Sequence, residues 1–168
     1  MAWRLRVISC ALVAGLTCAA SSVPGCSSKE WRYPADHARF QRIDQAVEEL
    51  RVAYVREEAS DIQSLMLPLE ALDRLMREIQ KDFQTFQEIS LDFTIERILI
   101  EGDAIDVFVH WQGQWKRKPE ELAIRERGHG LLRLIGVQSI LLNSVEGDLP
   151  FGMASRLAAA DLSTPRVP

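Results

Sequence analysis

Beyond Cys26 the 168-residue chain has no cysteine, since all three lie at positions 10, 18 and 26. That absence removes a disulfide framework, a thiolate metal site and a cysteine nucleophile from everything that follows. Positive charge is also scarce, with 20 Lys and Arg against 24 Asp and Glu and a formal net charge of −4. Phosphate recognition needs clustered basic side chains, so neither nucleic acid nor an anionic lipid headgroup is an expected partner of the folded part. Internal repeats and low-complexity segments are missing. So is an apolar run long enough to cross a bilayer: the stretch from Val7 to Ala20 has about 14 residues, where a span needs roughly 20. No stretch carries the signature of a particular reaction, and none asks for a cofactor or a resident metal.

What is present begins with that short run. Arg4 and Arg6 precede it, the layout of an export signal. The segment that follows, Val23-Pro24-Gly25-Cys26, resembles the lipobox of bacterial lipoproteins. The resemblance implies cleavage before Cys26, a diacylglycerol thioether on its sulfur and a third acyl chain on its new amino group. Acylation would remove a thiol that is a liability in an oxidising compartment. At ~0.8 kcal/mol per buried CH₂, one chain holds marginally and two or more hold stably. Ser27, in place of Asp, resembles lipoproteins sorted to the outer membrane, which implies the inner leaflet of that membrane, facing the periplasm. Residues 1–25 then form the signal and 26–35 a membrane-proximal spacer of at most ~35 Å, at about 3.5 Å per residue. In that spacer Trp31 and Tyr33 either meet the headgroups or pack on the domain. Loss of Arg4 and Arg6 leaves 18 basic against 24 acidic residues, a net charge of −6.

The remaining 143 residues suit one domain. Phe40, Ile43, Val47, Leu50 and Tyr54 recur at helical spacing, with Asp36 as N-cap. Ser60 and Gln63 have capping-box spacing for a short second helix. Pro68 suits the first turn of a third, whose stripe is Leu72, Leu75, Met76, Ile79, Phe83 and Phe86. After Gln87 the period becomes two, predicting four antiparallel strands. Ile89, Leu91, Phe93 and Ile95 alternate and then slip to Ile98 and Ile100, as a β-bulge near Glu96-Arg97 would produce. Gly102-Asp103 makes a hairpin turn. Closing the next loop around residues 117–122 pairs positions whose numbers sum to 239. One face then receives Ile105, Val107, Val109 and Trp111 opposite Leu134, Leu132, Gly130 and Gly128. The other sets Phe108 beside Leu131 and His110 beside His129. A turn at Gly136-Val137 would lay Leu141 and Val145 on the first face. It would put Leu142 beside Leu131 and Ser144 beside His129 on the second.

The expected fold class is thus α+β, with N-terminal helices packed on one face of a curved, bulged four-stranded antiparallel meander. In "YVREEASDIQSLM", "EGDAIDVFVHWQGQW" and "VEGDLPFG" the chain resembles the nuclear transport factor 2-like superfamily, a cone-shaped α+β fold, over residues 38–152 within a domain of 36–152. The family includes isomerases, hydratases, transport adaptors and binding domains, so the resemblance implies a fold and not an activity. The short hairpin that many members insert before the third helix is missing, which implies a small pocket or none. Residues 153–168, Ala-rich and closing on "STPRVP", read as a disordered tail.

His110, His129 and Ser144 form the most suggestive row, with Asp106, Arg133 and Gln112 nearby. It fits an acid–base pair or two of three zinc ligands. A solvated polar face is the simpler reading, because the sequence places no third ligand and no nucleophile. "WQGQW" fits either a stacking platform or a core floored by glycine. Phe108, Leu131 and Leu142, with Ile140 alongside, predict an apolar row rimmed by charge, the kind of patch that serves a homodimer unless Leu157 and Leu162 of the tail cover it. The expected function is a membrane-anchored envelope lipoprotein whose domain binds a protein partner or a small apolar ligand without catalysis. The alternative is an isomerase- or hydrolase-like enzyme using His110 and His129.

Overall fold

The computed structural model describes residues 34–163. The proposed lipidation site Cys26 and the spacer residues Trp31 and Tyr33 lie outside the described residues.

Helix α1 (Pro34–Val55) forms because Ile43, Val47, Leu50 and Tyr54 recur once per turn, and all four are buried. It starts two residues before Asp36, which therefore sits in the first turn rather than at the cap. Glu57 takes a left-handed conformation (φ 60°) to turn the chain into α2 (Ala59–Ser64). No side chain caps α2: Ser60 lies within it, so the expected capping box does not form. Pro68 and Leu69 precede α3 (Glu70–Thr85), whose buried face is Leu72, Met76, Ile79 and, unexpectedly, Asp82.

The sheet is a meander of β1 (Glu88–Glu101), β2 (Ala104–Lys116), β3 (Ile124–Ile135) and β4 (Leu141–Gly147), in that spatial order and antiparallel throughout. Gly102 supplies the positive φ (60°) that the two-residue turn after β1 requires. The β2–β3 register is the one whose partner numbers sum to 239, from Ile105 opposite Leu134 through His110 opposite His129 to Trp111 opposite Gly128. The bulge in β1 falls between Ile95 and Arg97, with Glu96 as the extra residue. Ile105, Val107, Val109, Trp111, Trp115, Leu132 and Leu134 face the helices and are buried there, so the core lies between the helices and one face of the sheet.

The third hairpin departs from expectation. A second bulge, between Arg133 and Leu134, shifts the register: Leu142 lies opposite Leu134, Ser144 opposite Arg133 and Glu146 opposite Leu131. Leu142 is therefore only 2% exposed, in the core rather than on the outer row, and Ser144 is not beside His129. Val145 takes the inner face as expected, opposite Leu132, whereas Leu141 stands opposite the exposed Ile135. Burial of Leu142 is one cause of the shift. The other is a pair of backbone hydrogen bonds, Leu67 N–H to the Leu142 carbonyl (2.9 Å) and Leu142 N–H to the Leu65 carbonyl (2.8 Å), which fix that end of β4 to the α2–α3 connection.

The residues read as a disordered tail begin with an ordered helix, α4 (Met153–Ser163). Phe151 and Met153 are buried at its start, and Leu157 packs against the core instead of covering the outer sheet face. An 11-residue helix of low amphipathicity forms here because α3 supplies its missing N-terminal cap, as described below.

Candidate functional site

Among the described residues, polar chemistry gathers inside the fold and on the outer face of the sheet. Inside, Asp82 is completely buried. Its Oδ2 accepts hydrogen bonds from the Tyr54 hydroxyl (2.8 Å) and the Gly152 N–H (2.7 Å), and its Oδ1 accepts one from the Ala154 N–H (2.7 Å). The Tyr54 hydroxyl accepts in turn from Trp115 Nε1 at 3.1 Å. Asp82 is thus an N-cap for α4 supplied from another helix, satisfying two of the amides a helix start leaves open. Burial raises the Asp82 pKa above the ordinary carboxyl range, against the pull of these donors. Burial, with the Asp82 charge beside it, pushes the Tyr54 phenol far above its usual value, so it stays a donor.

Among the described residues, the rest of the interior around the tryptophans is closely packed. Trp111 and Trp115 stand edge to face at 6.2 Å, with Trp111 Nε1 donating to the Asp148 carbonyl at 2.7 Å. A Cβ on Gly128 would lie 3.0 Å from the Trp111 ring and 2.9 Å from Asp148 Cβ, so glycine makes room for the indole. "WQGQW" is therefore core and not a stacking platform. One void between α1 and the β3–β4 side of the sheet, lined by Val47, Leu50, Leu132, Leu134 and Leu142 among others, measures about 10 Å³.

On the outer face the β1 bulge decides the geometry. Two consecutive residues, Glu96 and Arg97, both turn outward where a regular strand would offer one. Arg97 lies over the Phe108 ring, 4.0 Å from its centroid. Glu96 reaches across β2 to His129 on β3, with 3.2 Å between its carboxylate and His129 Nδ1. His110, between them on β2, stacks against His129 at 4.7 Å between ring centroids. Its Nδ1 is shielded from solvent and has no hydrogen-bond partner. One ligand-type atom from each of Glu96, His110 and His129 lies within 4.8 Å of the others.

The structure thus unites His110 with His129 and Phe108 with Leu131, as the sequence predicts, and separates both pairs from Leu142 and Ser144. The apolar row loses one of its three members, and Arg97 covers part of another. What remains is a shallow groove of about 290 Å³ lined by Glu96, Phe108, His129, Leu131 and Glu146. Glu146 is held by Arg133 at 3.1 Å. Sequence reasoning missed both carboxylates. Asp82 stands in phase with the α3 stripe, three residues after Ile79 and four before Phe86, and that was its signal. Glu96 was visible as part of the bulge, but its direction depends on which residue the bulge leaves unpaired.

No protein-family profile matches the chain, and no curated protein matches it. Solved structures do. A nuclear transport factor 2-like superfamily protein from Salmonella enterica serovar Typhimurium superposes with a TM-score of 0.57 at 10% identity, covering 68% of this chain and 94% of that one. A conserved protein from Planctomyces limnophilus gives a TM-score of 0.56 at 15% identity over 66% of this chain and 98% of its own. A protein from Kribbella flavida gives 0.57 at 12% identity over 66% and 90%. At such identities the likeness concerns the backbone, and it agrees with the helices, the bulged meander and the buried face already described: the domain has the nuclear transport factor 2-like fold.

Proposed function

We propose that this chain is a lipid-anchored cell-envelope protein whose nuclear transport factor 2-like domain serves as a binding module rather than an enzyme. The filled interior is the observation that carries the reading. A cone that works on a substrate inside it needs space and a free acid or base. Here the void beside α1 is about 10 Å³, and the interior carboxylate, Asp82, is occupied by three donors. The anchor rests on Val23-Pro24-Gly25-Cys26 behind a short apolar run, and on Ser27 for sorting to the outer membrane. Among the described residues no helix is long and apolar enough to cross a membrane.

Metabolic labelling with an alkyne palmitate in a bacterial host tests the anchor. Wild type takes the label and fractionates with the outer membrane, while Cys26→Ser stays unlabelled as precursor. Equal labelling of the variant overturns it. Fragment binding mapped by amide NMR shifts tests the binding role, with hits expected on the outer surfaces. A fragment seated between α1, α3 and the sheet would overturn the closed interior. The alternative, an isomerase- or hydrolase-like activity, has the Glu96–His129 contact in its favour, but that carboxylate is 45% exposed on an open face where water competes.

A further inference from the structure

We infer that Glu96, His110 and His129 form a binding site for one divalent transition-metal ion, with Zn²⁺ as the best fit. The inference does not depend on the anchor or on the binding role proposed above. Each of three neighbouring strands contributes one ligand: Glu96 from β1, His110 from β2 and His129 from β3. Two imidazoles and one carboxylate are a donor set for zinc, copper or nickel. Magnesium and calcium prefer oxygen alone. His₂Glu with an open fourth position is also an arrangement that zinc adopts with water as the remaining ligand.

The distances fit. Tetrahedral bonds of ~2.0–2.1 Å put ligand atoms about 3.3 Å apart. The Glu96–His129 contact is already 3.2 Å, and all three ligand atoms fall within 4.8 Å. Rotation of exposed side chains about their χ angles closes the remaining gap without moving the strands, since His129 and Glu96 side chains are 67% and 45% exposed. Two features distinguish this cluster from a solvated polar face. First, the residue that the bulge leaves over is the one that reaches His129, and bulges recur where a side chain must be re-aimed. Second, His110 Nδ1 is shielded from water and unpartnered, a condition that a metal or a proton-sharing ligand would relieve. Two of the ligands also line the groove containing Phe108 and Leu131, so the open coordination position borders an apolar floor.

The test uses the full chain in detergent, purified without a polyhistidine tag. Co²⁺ is titrated and followed by its visible d–d absorption, then displaced by Zn²⁺. The inference expects one saturable equivalent with a tetrahedral cobalt spectrum. Glu96→Gln, His110→Ala and His129→Ala should each weaken binding more than about tenfold, since even outer-sphere changes cost 10–100-fold. The chain has three histidines, so His37→Ala serves as the control and should bind as wild type does. Circular dichroism confirms that each variant is folded. If His110→Ala does not fold, the exposed Glu96→Gln and His129→Ala variants decide the matter. Absence of saturable binding by about 1 mM metal, a Kd worth only ~4 kcal/mol, overturns the site. Unchanged binding in a folded His110→Ala/His129→Ala double variant does so equally.

Discussion

A single buried carboxylate links three elements of this fold. Asp82 holds α4 by its amides, orients the Tyr54 hydroxyl and, through it, the Trp115 indole. Asp82→Asn would turn an amide NH₂ toward one of these donors, leaving it unsatisfied, at a cost of roughly 1–3 kcal/mol read from denaturant unfolding. The same residue predicts a pH effect. Its pKa is raised by burial, so the folded state holds the proton more tightly than the unfolded chain does. Its contribution is therefore fully present below the ordinary Asp value, about 3.9, and is lost as pH rises through the folded value, after which it is flat. Unfolding curves followed upward from the ordinary Asp value should show that decline in wild type, beyond whatever slope remains in Asp82→Asn. Equal slopes in the two proteins would contradict it. The sequence showed a helix stripe at this point but not the acid inside it, because burying a charge is unfavourable until a partner is known, and the partner is 70 residues away at Gly152.

At the scale of elements, the first three helices and the first two hairpins were legible because periodicity and turn chemistry are local. The β2–β3 register followed from pairing bulky with small residues, Trp111 with Gly128 above all. Two things were not legible, and both depend on distant parts. The β3–β4 register is set partly by the hydrogen bonds that Leu142 accepts from the Leu67 N–H and donates to the Leu65 carbonyl, and α4 exists because α3 caps it. Removal of residues 153–168 should therefore do more than trim an end. It uncovers Asp82 and the buried Phe151, and the thermal transition should fall by a few degrees, a loss of ~1 kcal/mol being worth roughly 3–4 °C in a domain of this size. An unchanged transition would mean that α4 is only an ornament. Deletion of Glu96 is the complementary experiment at the sheet. Ile95 and Ile98 face inward with Arg97 outward between them, so the shortened strand keeps its alternation. The variant should fold, by far-UV circular dichroism and a cooperative melt, while losing Co²⁺ binding. Loss of folding would show that the bulge is needed for curvature.

For the molecule as a whole, the α+β architecture and the tightly packed core between helices and sheet follow from residues that lie within the domain, whereas membrane attachment is proposed from residues that precede it. The groove at Phe108 and Leu131 is all that remains of the longer apolar row, since Leu142 belongs to the core. One further consequence lies in the two margins of the sheet. An open sheet ends in strands with unspent backbone donors and acceptors, which invite a strand from another chain. At β4 the margin is occupied around Leu142 by Leu65 and Leu67, with Met66 bridging to it in parallel. At β1 it is 14 residues long, and among the described residues Arg51 donates to its Leu91 carbonyl at 2.9 Å. There the charged Asp92, Glu96 and Arg97 and the break in repeat at Glu96 oppose regular strand addition. The bulge that gathers the metal ligands is thus also a guard against fibrous self-association, and a chain relieved of it, though folded, would offer its neighbours a smoother template.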